Sequence, residues 1–207
     1  MFSKLVPARG LLPVVLLVST AIAQTLPTPP AEQQPTFRVQ VWGDIVADFS
    51  ARLKSYSDLR STLEEGLPPM RVTEDPAEIR RAQRALAKKI RAARRGAREG
   101  DIFSPAIRVE FKEVLALKMN AKTWAVIMDD NPREFSTEVN GIYPDGKTYS
   151  TVPGTILAVL PTLPDAVEYR FLGRHLILLD TRARLILDRI RYAIECDDCD
   201  VEGRDDD

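Results

Sequence analysis

Cys196-Asp197-Asp198-Cys199 sets the chain's two cysteines at the spacing of a CxxC pair, with two carboxylates between them. Thiolates so placed can share a metal ion, and Asp197, Asp198 and the following Asp200 would add oxygen donors. A closed zinc site takes four ligands, yet the chain offers neither a second CxxC nor a histidine pair. Thiol–disulfide exchange relies on a lowered thiol pKa, whereas neighbouring carboxylates raise it. In an oxidising compartment the simplest fate is a local Cys196–Cys199 disulfide. A divalent-metal site of Cys196, Asp197, Asp198 and Cys199 is the alternative.

Other reactive constellations are sparse. His175 is the only histidine, which restricts triads and metal sites alike. Asp129-Asp130 is a carboxylate pair, but in Asp-Asp-Asn-Pro it reads first as a helix stop. There is no G-x-S-x-G elbow, no H-E-x-x-H pair and no Gly-rich phosphate loop. The residues therefore predict a non-enzymatic protein that needs no cofactor.

Charge is where the chain is distinctive. Nine cations and no acid lie between Ile79 and Arg98, on a predicted helix whose apolar stripe is Ile79, Leu86, Ile90, Ala93 and Ala97. Like charges four residues apart weaken a helix by a few tenths of a kcal/mol per pair, so such a run calls for an offset. Arg80, Arg84, Lys88, Arg91 and Arg95 make a candidate docking face for anionic lipid headgroups or an acidic protein. The solvated face of a core-packed helix is the plainer reading. Glu195 to Asp207 is the counterpart, with eight acids against one cation. Its apolar content is too low to fold alone; it either dangles in solvent or folds back on the basic helix.

With 207 residues, 44% of them hydrophobic, the chain can bury a real core, and two cysteines exclude a disulfide-dense scaffold. A balance of 29 Lys+Arg to 30 Asp+Glu gives no reason to expect nucleic-acid binding. Residues 42–65 carry Val46, Phe49, Leu53, Leu59 and Leu63 at helical spacing. Asp75-Pro76-Ala77-Glu78 opens a second helix, predicted to run to about Arg98. Ser104-Pro105 opens a third. Thr123 to Met128 fits either a helix capped by Asn120 or a buried strand.

After Phe135, glycines and prolines punctuate the chain. Phe135, Thr137 and Val139 alternate before the turn dipeptide Asn140-Gly141. Pro153 to Leu160 reads as a short helix. Ala166 to Asp180 reads as a hairpin turning at Gly173-Arg174, its second strand apolar on both faces. Leu185 to Ile190 fits a third strand, although Ala183, Ile186, Leu187, Ile190 and Ile194 also fit a helical stripe. The predicted class is α+β, a helical N-terminal half followed by a small antiparallel three-stranded meander. One face of that sheet needs a cover besides the helices, from a loop or from the second subunit of a homodimer.

The N-terminus sets the expected compartment. Lys4 and Arg9 precede the apolar run Leu11 to Ile22, which ends in Ala21-Ile22-Ala23, the pattern of a secretory signal peptide. That run is too short for the roughly 20 apolar residues of a membrane span. The predicted organisation is a signal peptide (1–23), a Pro-rich spacer (24–36), one domain (37–194) and an acidic tail (195–207). The product is expected to be exported, to the periplasm, with no transmembrane segment once the leader is removed.

Two resemblances bear on this organisation. Asp129-Asp130-Asn131-Pro132, Val139-Asn140-Gly141-x-Tyr143-Pro144 and Leu160-Pro161-x-Leu163-Pro164 running into Tyr169 to Leu178 together resemble a group of exported, uncharacterised bacterial proteins. Tyr169 to Ile190 is also similar to the meander of RcnB-type periplasmic proteins, which are associated with nickel and cobalt homeostasis. That likeness implies a periplasmic, metal-related role, against which a single imidazole is a meagre ligand supply. Neither resemblance brings catalytic residues with it.

Overall fold

Three helices begin on side-chain caps that the sequence spells out. Asp75 accepts the Ala77 N–H at 2.8 Å ahead of Pro76, Ser104 caps Ile107 ahead of Pro105, and Asn120 accepts the Thr123 N–H at 2.9 Å. In the computed structural model, which describes residues 35–67, 74–132 and 136–195, the helices are α1 Pro35–Glu65, α2 Pro76–Ala93, α3 Pro105–Lys118, α4 Ala121–Asp129 and α5 Gly154–Leu157. The strands are β1 Val167–Leu172, β2 His175–Asp180 and β3 Leu185–Ile190. They form one antiparallel sheet in the order β1-β2-β3, so the fold is α+β as predicted. Among the described residues no helix is long and apolar enough to cross a membrane.

Several expectations need correction. The first helix begins at Pro35, inside the predicted spacer, because proline suits the first turn of a helix, where no backbone donor is needed. Of the two readings open for Thr123 to Met128 the helix holds, carried by the Asn120 cap. Residues 136–139 form no strand, and the rest of that predicted run lies outside the described residues. The second helix ends at Ala93, five residues before Arg98, because Arg94 turns inward. Ala93, assigned to the apolar stripe, is accordingly exposed.

The helices cover one face of the sheet. Phe49 of α1 stacks on Phe103 with centroids 5.7 Å apart, and Phe111 of α3 meets both edge-on. Phe111 also meets Tyr169 of β1, which joins helices to sheet. The opposite face, Leu172, Ile177, Leu179 and Ile186, packs on Tyr143 and Tyr149. The second cover is thus a loop of the same chain.

β3 carries a bulge. Leu178 faces Asp188 while Leu179 faces Ile186, so Leu187 is the extra residue. The bulge lets consecutive Leu187 and Asp188 both face the helices, which breaks strict alternation and explains why the segment also matched a helical stripe.

Both sheet edges are guarded. Residues 140–143 run along β3, with Asn140 N–H donating to Ile186 (2.8 Å), Ile186 N–H to Gly141 (2.9 Å) and Tyr143 N–H to Arg184 (2.7 Å). A side chain at Gly141 would come within 2.7 Å of the Glu138 carbonyl, so only glycine fits this approach. On β1 the Ser150 hydroxyl accepts the Phe171 N–H at 2.8 Å and donates to the Phe171 carbonyl at 2.6 Å. One side chain thereby occupies a rung that would otherwise invite edge pairing.

Candidate functional site

α2 is amphipathic at helical period. Leu86, Ala87 and Ile90 are buried, with Ile79 and Gln83 half-buried beside them. At 100° per residue, Arg80, Arg84, Lys88 and Arg91 fall within an arc of about 80° that flanks the buried stripe. Arg95 continues the row in the turn that follows, and all five are exposed. The structure therefore places four of the five predicted docking residues along one strip of α2 and the fifth, Arg95, in the turn that follows.

The rest of the charge inventory shows what sets this row apart. Outside the run from Ile79 to Arg98, eight described arginines meet carboxylates. Arg52 pairs with Asp48 at 2.8 Å, Arg182 with Glu64 at 3.0 Å, Arg184 with Asp145 at 3.6 Å, and Arg170 with Glu168. Glu99 gathers three, from Arg189 and Arg191 at 2.9 Å each and from Arg108 at 3.6 Å. Burial tends to raise the Glu99 pKa, but the bonds from Arg189 and Arg191 outweigh it and hold this carboxyl below its ordinary value. Among the described residues, none of Arg80, Arg84, Lys88, Arg91 and Arg95 lies within 4 Å of a carboxylate.

Two cations of the same run serve the fold instead. Arg94 donates to the Leu187 carbonyl at 3.1 Å and lies over the Tyr56 ring, 5.3 Å from its centroid. Burial lowers its pKa, against the favourable charges around it, Asp188 among them. Lys89 donates to the Gly66 carbonyl at 2.7 Å, which ties α2 to the end of α1.

Asp129 and Asp130 are exposed at the end of α4 and line no described cleft. The working residue of that motif is its neighbour. Asn131 accepts the Gly173 N–H at 2.7 Å and donates to the Gly173 carbonyl at 2.9 Å, clasping the β1–β2 turn. Gly173, at φ +55°, takes the first turn position, which a type II′ hairpin reserves for glycine.

His175 is also engaged. Its Nδ1 accepts the Tyr192 N–H at 3.0 Å, and the two rings meet edge-to-face at 5.0 Å. Burial, with Arg189 and Arg191 nearby, lowers its pKa from the ordinary 6.5, against a smaller pull from Glu99. The unfolded chain takes up the proton near 6.5, the folded chain only below that. The stability due to the neutral ring is thus complete above pH 6.5 and is lost as pH falls through the folded value. We predict that the urea midpoint drops between about pH 7 and about pH 5.5 and that His175→Gln removes this drop. Equal slopes for both proteins would contradict the assignment.

The Cys196, Asp197, Asp198 and Cys199 set lies outside the described residues, as do the predicted leader and most of the acidic tail. Among the described residues no group of three or more His, Cys, Asp or Glu side chains is placed to hold a metal ion. Sequence reasoning missed Asp180 and Asp188, both fully buried. The only local sign was a carboxylate within or ending an apolar strand. No protein-family profile, no curated protein and no solved structure matches the chain.

Proposed function

We propose that this is an exported, non-enzymatic accessory protein whose α2 face binds an acidic protein segment. The observation behind this reading is the contrast in charge pairing. Outside the run from Ile79 to Arg98, eight described arginines each meet a carboxylate, whereas the row of four arginines and a lysine meets none among the described residues. Guanidinium groups suit planar carboxylates, which they grip with two parallel hydrogen bonds. A lipid surface is the weaker partner. Interfacial helices bury an apolar face in the bilayer, and here that face is spent on the core through Leu86 and Ile90. A dimer through the sheet finds no support, since both faces and parts of both edges are covered within the chain.

The test is anisotropy of a fluorescent peptide of ten glutamates at low salt, using native protein and an Arg84→Glu, Arg91→Glu variant. The variant changes charge by four units; at roughly 0.5 kcal/mol per exposed charge, binding should weaken about thirtyfold. Both sites are exposed, and the changes turn like-charge pairs along the helix into opposite-charge ones, so the variant should unfold no earlier than the native protein. Equal affinity in the two proteins would remove the docking face. Binding to phosphatidylglycerol vesicles but not to the peptide would transfer the face to a lipid partner and sink the acidic-protein reading.

A further inference from the structure

We infer that the segment Cys196 to Asp207 docks on the C-terminal part of this same face, around Lys88, Arg91 and Arg95, and competes there with any acidic partner. The inference rests on reading α2 as a docking face and adds how that face is regulated. Three observations support it.

The first is charge complementarity. The segment carries seven acids and one cation, Arg204, so it is itself an acidic peptide of the kind the face suits. Like-charge crowding on α2 needs an offset, and among the described residues no acid supplies one within ion-pair distance.

The second is where the described chain ends. Arg191 donates to Glu99 at 2.9 Å, one residue from Arg98, so the chain leaves β3 beside the C-terminal end of the basic run. Ala193 donates to the Arg174 carbonyl at 2.8 Å, and Ala193 and Ile194 are buried. The segment is therefore launched from a fixed point. The third is reach. Twelve residues extend up to about 40 Å, whereas Glu99, which Arg191 touches, is four residues from Arg95, at most about 14 Å of chain. A tether this short gives an effective concentration in the millimolar range. For a face with a Kd near 100 μM, that amounts to about tenfold competition.

The test has two independent arms on the full-length chain. Zero-length carbodiimide coupling in dilute, low-salt protein, read by mass spectrometry, should join Lys88 to a carboxylate of the segment. That product should vanish at about 0.5 M salt, where screening falls to a few ångströms, and in the Arg84→Glu, Arg91→Glu variant. Lys54 and Asp58, 2.7 Å apart on the exposed side of α1, serve as the internal control. In the second arm Asp197, Asp198, Asp200, Asp205, Asp206 and Asp207 are changed to Asn, and affinity for the ten-glutamate peptide should rise about tenfold. Coupling of Lys54 to Asp58 without any Lys88 product, or unchanged affinity after neutralisation, would overturn the inference. The two proposals fail separately. A Lys88 product with no peptide binding even by the neutralised chain sinks the external partner and keeps the tail contact. Equal peptide binding by native and neutralised chains, with no Lys88 product, does the reverse.

Discussion

Asp180→Ala should cost about 3–5 kcal/mol of unfolding free energy, the range for leaving a buried ion-pair partner uncompensated. Asp180 is fully buried at the end of β2. Its Oδ2 accepts the Tyr56 hydroxyl and lies 3.5 Å from Arg60, and its Oδ1 accepts the Ala183 N–H at 2.8 Å. Arg60 is only 6% exposed, so removing the carboxylate strands its charge inside the protein, with the Asp165 carbonyl at 2.9 Å as the remaining partner. Burial and the adjacent Asp180 both push the Tyr56 pKa up, which keeps this hydroxyl protonated as a donor. The trio pins α1 to the far end of β2. Tyr56→Phe removes one hydrogen bond and no charge, and should cost about 1–2 kcal/mol. Domains of this size hold some 5–15 kcal/mol in all, so the difference is easily read in denaturant unfolding. An Asp180→Ala loss no larger than that of Tyr56→Phe would show that the ion pair is not the pin.

Asp188→Ala comes next in size. This carboxylate accepts the N–H groups of Gly100 (3.0 Å), Ile102 (2.8 Å), Phe103 (2.8 Å) and Arg189 (2.7 Å), and so fastens the loop between α2 and α3 to β3. Burial pushes its pKa up, while those four donors pull it down without reversing the shift. Alanine leaves two or more buried donors unpaired, at about 1–3 kcal/mol each, for an expected loss of about 2–4 kcal/mol. Asp188→Asn, which keeps one acceptor oxygen, should cost roughly half as much. Hydrogen exchange at Ile102 and Phe103 should accelerate together in the alanine variant. Unchanged protection at both amides would contradict the role assigned to Asp188. Arg95 lies in the same loop, between the end of α2 at Ala93 and Gly100, so the contact also bears on where the basic row ends.

The parts legible beforehand were those whose causes are local. Asp75-Pro76, Ser104-Pro105 and Asn120 announce helix starts because a cap acts over three residues, and the basic row could be counted at helical spacing. Gly173-Arg174 announces its own turn. The end of α2 was not legible, because Arg94 is drawn inward by Tyr56 and the Leu187 carbonyl, both distant in sequence. β3 stayed ambiguous because its bulge places two consecutive residues on one face. Asn131 read as an ordinary turn residue and Asp188 as one polar position within an apolar run, since their partners are backbone groups at remote positions. The basic row was visible as a pattern. Its lack of carboxylate partners, on which the function rests, needed the fold.

α2 meets acidic chains with its exposed cationic side. Amide shift mapping of ¹⁵N-labelled protein, titrated with the ten-glutamate peptide, tests this most directly. Changes should concentrate from Arg80 to Arg95 and revert at about 0.5 M salt. Changes concentrated around Arg174 and Arg184, with α2 silent, would contradict it.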